Sequence, residues 1–221
     1  MESDGGFMKK GKNNFFSAKN LAYFAVLAAL IVVLQVFSGS IKIGSTPMSF
    51  VLVPIVLGGI ILGPVAGGLL GGIFGLIVIV DALCGLDAFT LYLLNTTPVF
   101  TVLLCLLKGI AAGVVSSLVY RLIAKKNKYV AIFVAAALAP ICNTGIFAIG
   151  AFFIMDPILA LLGDAYAGLS AGYIVFIVLI GVNFFVEFAI NLLCAPALYT
   201  VNNVVEKQIK ISKKVKNDNL S

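Results

Sequence analysis

The chain has no histidine and no tryptophan, and only 11% of its 221 residues are charged. Without histidine there is no Ser-His-Asp triad, no H-E-x-x-H metal site and no haem held through imidazole. Soluble domains carry about a quarter charged residues, so this chain lacks the charge to cover a water-facing surface. Its four cysteines, Cys84, Cys105, Cys142 and Cys194, are far apart, mostly inside apolar runs and without C-x-x-C spacing. They read as small hydrophobic residues on packed helices, not as a disulfide framework or a metal site. No cofactor is expected.

What the chain has instead is apolar sequence, 62% of it, in long uninterrupted runs. Such runs mark an integral membrane protein. Strands of a membrane barrel would alternate polar and apolar at every second residue, and there are too few polar residues to do so. The expected fold class is all-α, with six transmembrane helices.

The net charge of +6 would suit nucleic acid if it were spread over a surface, but it is not. Lys9, Lys10, Lys12 and Lys19 precede the first apolar run, Arg121, Lys125, Lys126 and Lys128 form an internal cluster, and Lys207, Lys210, Lys213, Lys214 and Lys216 end the chain. These groups of four, four and five make thirteen of the fifteen basic residues. Clusters of this kind orient a membrane protein with its basic segments inside. Nucleic acid is not an expected partner; lipid is.

The spans are expected from about Ala18 to Phe37, Met48 to Leu62, Pro64 to Val80, Thr96 to Ile123, Tyr129 to Ile154 and Ala171 to Val201. The second and third fall short of the ~20 residues a span needs. The first apolar run, about 17 residues, exceeds a usual signal-peptide core, so an uncleaved first span is expected. All three basic clusters then share one side, and both termini are cytoplasmic. The resulting organisation is a cytoplasmic tail over 1–17, a membrane domain with an outward-facing pocket over 18–205, and a basic cytoplasmic tail over 206–221. The other side holds Asp81, Asp87, Asp156 and Asp164. There, "GSIKIGSTP" (39–47) shapes the surface, 81–98 folds partly back toward the membrane, and 155–172 has the character of a lid.

Two small-residue patterns stand out. Gly59, Gly63, Gly67, Gly71 and Gly75 recur at steps of four, interrupted by Pro64. Small residues at this spacing let helix backbones approach closely in lipid, and Pro64 suits the first turn of a helix. Gly63-Pro64 is therefore read as the tight turn of a hairpin between the second and third spans. In the first span, Ala18, Ala22, Ala25 and Ala29 make a stripe that either packs internally or offers a smooth docking face for another membrane protein.

Two enzyme-like matches carry no weight. "GFMKKGKN" (6–13) follows a phosphate-binding loop until Asn13 replaces the required Ser or Thr, and no strand precedes it. "GLSAG" (168–172) has the form of a nucleophile elbow in a chain without a histidine base. The protein is not expected to be an enzyme.

Polar residues inside the spans are more informative. A charge at mid-bilayer costs at least ~2.5–3.5 kcal/mol on insertion scales, so it lines a cavity or finds a partner. Lys108 lies in the fourth span, Asn143 and Thr144 in the fifth, and Asn183, Glu187 and Asn191 in the sixth. At ~1.5 Å per residue, Lys108 sits about 20 Å above Arg121, Asn143 about 22 Å above Lys128, and Glu187 about 30 Å above Lys207. Three helices thus bring polar groups to the outward half of the membrane, as in a small-molecule pocket or a Lys108–Glu187 ion pair that ties helices together. Asn95, Thr96 and Thr97 are placed at its mouth. Asn191, one turn deeper than Glu187, is expected to close the floor or to bond a neighbouring helix.

With six spans, both ends inside, the alanine stripe, "IKIGSTPMSFVLVPIVLGGIILGPVAGGLLGGIFG", "CNTGIF" and "NFFVEFAINLLCAP", nearly the whole chain resembles the membrane-embedded substrate-binding (S) components of energy-coupling factor (ECF) vitamin transporters. The resemblance implies high-affinity capture of a small water-soluble vitamin near the outer surface of the plasma membrane. Import would be driven by a separate transmembrane coupling protein and two cytoplasmic ATPases. It also implies that Ala18, Ala22, Ala25 and Ala29 form the docking face for the coupling protein. The implied ligand site coincides with Lys108, Asn143, Thr144, Asn183, Glu187 and Asn95. The overall look is closest to pantothenate-type members, and a cationic Lys108 beside amides suits a carboxylated, hydroxylated ligand. Without tryptophan or a strongly aromatic outer loop, a flavin or thiamine ring sandwich is less favoured, while Glu187 suits a donor-rich ligand such as pyridoxine or hydroxymethylpyrimidine; folate is a further alternative. The competing class is a stand-alone secondary transporter with Glu187 as proton carrier. Against it, the glycine-rich hairpin has no counterpart in the second half of the chain.

Overall fold

The computed structural model describes residues 18–39, 42–43, 46–47, 50–166 and 168–218. The expected N-terminal tail, the phosphate-loop-like match and parts of the 39–47 loop lie outside them. The elements are α1 (Ala18–Gly39), a two-residue antiparallel pair β1 (Lys42–Ile43) and β2 (Thr46–Pro47), α2 (Leu52–Leu62), α3 (Pro64–Leu83), α4 (Ala88–Thr96), α5 (Pro98–Ile123), α6 (Lys128–Phe153), α7 (Met155–Leu162), a 3-10 turn (Asp164–Tyr166), α8 (Ala171–Tyr173), a π-helical stretch (Ile174–Ile180) and α9 (Gly181–Asp218). Five helical segments among the described residues are long and apolar enough to cross a membrane, and α2 is a shorter apolar helix. Large apolar side chains face outward along them, among them Val99, Phe153 and Leu193 at 73%, 77% and 79% exposure. In water such a surface would aggregate; in lipid it is the contact surface.

The glycine steps decide how the centre is built. Gly63 has φ +106°, a conformation other residues rarely adopt, and Pro64 opens α3 directly behind it. The chain therefore turns within one residue, and α2 and α3 form the expected hairpin. Along α3 the glycines meet a matching set on α5. A Cβ on Gly67 would lie 2.6 Å from the Gly113 carbonyl oxygen, and one on Gly75 2.5 Å from that of Cys105. A Cβ on Gly71 would run into the Gly109 carbonyl. Backbone thus packs on backbone for three consecutive turns, with α5 antiparallel to α3. On α2, Gly59 faces Ser117, whose hydroxyl donates to the Gly59 carbonyl at 2.6 Å, and Gly63 faces Arg121. Those pairs rise together in sequence, so α2 and α5 run parallel.

One end of the bundle gathers the α2–α3 turn beside Arg121 and the α5–α6 turn. The Lys128–Glu206 ion pair at 2.5 Å, Asn202 donating to the Tyr120 hydroxyl at 3.3 Å, and Tyr23 donating to Gln208 at 3.3 Å are there too. The start of α1 and the far part of α9 therefore share the basic end. α9 continues through the segment read as a basic tail, up to Asp218.

The opposite half is built differently. Asp87 caps α4, accepting from the Thr90 backbone N–H at 3.1 Å and from its hydroxyl at 2.5 Å. α4 folds back as its own helix, and Phe89 and Leu93 pack with Ile158 of α7 and with Ile174, Val175 and Leu179. The segment 155–162 is thus helix laid over α4. The last long apolar segment is not one regular helix: seven residues take the π form, and Gly181, with φ +24°, opens α9 directly after them. Local π turns of this kind occur frequently at functional sites.

Candidate functional site

A cavity lies at the half of the bundle away from the basic end. Lys108 on α5, Asn143 and Thr144 on α6, and Asn183 and Glu187 on α9 all line it. These are five of the six residues expected at a ligand site from the sequence. Asn95 is not among them: it is exposed near the end of α4. The polar α4 residue that lines the cavity is Thr90, five positions earlier and so about 140° around the helix. Asn191 is not among the lining residues; it is fully buried and its amide N–H donates to the Glu187 carbonyl of its own helix at 2.9 Å.

The ammonium of Lys108 sits 5.8 Å from the Phe74 ring centre and 5.6 Å from that of Phe147. Each such contact is worth ~0.5–2 kcal/mol, which offsets part of the cost of holding a charge at this depth and fixes its direction. Phe147 in turn meets Phe89 edge to face at 6.3 Å. With Phe184 these rings make the apolar walls of the cavity.

Asn143 and Glu187 are 7% and 6% exposed, so the polar groups are desolvated by the fold itself. The side-chain oxygen of Asn143 is buried and accepts no hydrogen bond from the described residues. Buried polar atoms nearly always have partners, so an orphan on a cavity wall points to a ligand. Pro140, one turn earlier in α6, removes a backbone donor from the helix just below.

Several lining residues escaped the sequence reading: Gln35 of α1, Asp87, Thr90 and the rings Phe74, Phe89, Phe147 and Phe184. Gln35 was discoverable, because it is a polar residue inside an apolar span, the same signal that singled out Asn143. Asp87 and Thr90 carried the Asp-x-x-Thr spacing of a cap at a helix start.

The cavity lining presents one cation, two carboxylates, several amides and aromatic walls. It offers no nucleophile–base pair, and among the described residues no three of the His, Cys, Asp and Glu side chains group as metal ligands. A comparison with curated proteins finds no match. The family model for ECF transporter substrate-specific components matches residues 19–199. The chain belongs to that family. This substrate-specific component is therefore a multi-pass membrane protein that binds substrate for a transporter, and the family is not one of enzymes. In its α1, Ala18, Ala22, Ala25 and Ala29 are all exposed, whereas Leu27, Ile31 and Gln35 face the core from the other side of the same helix.

Proposed function

We propose that this substrate-specific component captures a small water-soluble vitamin in the cavity around Lys108, with pantothenate the favoured ligand. It would deliver that vitamin across the plasma membrane with a transmembrane coupling protein and two ATPases. The carrying observation is the meeting of Lys108, Asn143, Thr144, Asn183 and Glu187, from three helices, at one cavity. A carboxylate would bind the clamped Lys108 ammonium, while hydroxyl and amide groups would meet Asn143, Asn183 and the acidic pair Asp87 and Glu187. Six crossings with both ends cytoplasmic fit the shared basic end of α1, α9 and the two turns. The cavity then opens outward.

A specific observation favours a second ligand class. Four phenylalanine rings and two carboxylates line the cavity, which suits a small aromatic ring carrying hydroxyl or amino donors, such as pyridoxine or hydroxymethylpyrimidine. The lack of tryptophan is less of an argument against rings than the sequence suggested.

Purification followed by mass spectrometry of the released small molecule decides between them. Titration calorimetry should then find Lys108→Met weakened at least about a hundred-fold for a carboxylated ligand, because a buried ligand charge is left unpaired. An unchanged affinity would remove Lys108 from the site. Uptake by this chain alone, driven by a proton gradient and abolished in Glu187→Gln, would overturn the importer reading in favour of a secondary transporter.

A further inference from the structure

Gln35 belongs to the helix that carries the exposed alanines, yet it is 4% exposed and lines the cavity. Its amide is not free to turn. The Nε2 group donates to a carboxylate oxygen of Asp81 on α3 at 3.0 Å, a hydrogen bond buried on both sides. A carboxylate is an acceptor only, so the nitrogen must face Asp81 and the flip of the amide is decided by chemistry. Asp81 itself does not line the cavity. With Nε2 committed to Asp81, the polar atom the amide has left is Oε1, which is buried and accepts no hydrogen bond from the described residues.

We infer that Gln35, held in one orientation by Asp81, is a specificity-determining residue that accepts a hydrogen bond from a hydroxyl or N–H group of the substrate. Among the residues lining the cavity, Asp87 and Glu187 bring two carboxylates against the single ammonium of Lys108, while Asn143, Thr144 and Asn183 carry both donors and acceptors. The substrate class is thus a molecule with at most one anionic end and with a hydroxyl or N–H donor for Gln35. Asp81 acts through Gln35: it selects which end of the amide the substrate meets. Reversal of the amide would offer an N–H to the substrate and leave two oxygens facing each other. This inference rests on the vitamin-binding reading and adds to it a residue on α1 and a preference for donors.

The test uses the purified full chain in lipid nanodiscs, titrated with pantothenate, pyridoxine and 4-amino-5-hydroxymethyl-2-methylpyrimidine, each beside its deoxy analogues. The parent that binds wild type should bind at least about ten-fold more tightly than one deoxy analogue, since a buried acceptor is left unpaired without the hydroxyl. Gln35→Met should bind parent and that analogue alike. Asp81→Asn keeps an acceptor opposite Nε2 and should retain the discrimination, whereas Asp81→Leu should reduce it. If Gln35→Met weakens parent and analogues by the same factor, its role is structural and the inference falls. It falls equally if Gln35→Met discriminates as wild type does. Absence of binding by wild type to any of the three parents overturns the vitamin reading, and this inference with it.

Discussion

Gly71→Ala is expected to cost the protein its fold, although it adds a single methyl group. The added carbon would run into the Gly109 carbonyl of α5 and lie 2.9 Å from the Ile110 nitrogen, all of them backbone atoms. No rotamer change relieves such a clash, so α3 and α5 must separate, and with them the adjoining contacts of Gly67 and Gly75. Overpacking typically costs ~1–3 kcal/mol and more where the backbone must move. The neighbouring Gly72→Ala is the control. Its methyl would sit 3.6 Å from an Ile110 side-chain carbon, an ordinary contact, and alanine is ~1 kcal/mol the better helix former. Thermal unfolding monitored by size-exclusion chromatography should show Gly72→Ala at or above wild type and Gly71→Ala largely aggregated. Equal behaviour of the two would refute the backbone-on-backbone account.

Replacing Ala25 and Ala29 together by tryptophan should abolish uptake in cells that also make the coupling protein and ATPases, while ligand affinity of the purified chain stays within about two-fold. Both alanines are exposed, and Leu27 and Ile31 occupy the opposite face of α1. Added bulk therefore meets a partner or lipid, not the core. Co-purification of the coupling protein is the direct measurement. A complex that survives the double substitution would remove the alanine face from the interface, and loss of ligand binding would mean that the stripe serves the fold instead.

Much of this architecture can be read from residue spacing, for reasons that particular positions make plain. Lys108, Asn143 and Glu187 meet because helices rise a constant ~1.5 Å per residue, so counting from basic ends converts sequence into depth. The Gly63-Pro64 hairpin follows from backbone chemistry alone. Which surface the glycines pack on is a different matter. The facing set, Cys105, Gly109, Gly113 and Ser117, is also spaced by four, but pairing two stripes needs the relative rotation of two helices, and spacing does not contain it. Asn95 went astray for a similar reason: Asp87 starts a separate helix, and the α4 face that lines the cavity carries Thr90 instead. The π-helical stretch at 174–180 has no residue signature, and Gly181 is its only trace.

The shortness of α2 reaches beyond the folded state. Eleven residues extend only about 16 Å, roughly half the thickness of a bilayer's hydrocarbon core. Seven of them, from Leu52 to Ile60, are buried, so protein rather than lipid surrounds this helix and no local thinning of the bilayer is required. During synthesis, however, all of those neighbours except α1 come later in the chain. α2 cannot partition into lipid as an independent unit, and it enters the membrane together with α3 as a hairpin closed at Gly63. Biogenesis is therefore expected to include a two-helix insertion step, with substitutions that weaken the Gly63 turn lowering membrane integration before they lower the stability of the finished protein.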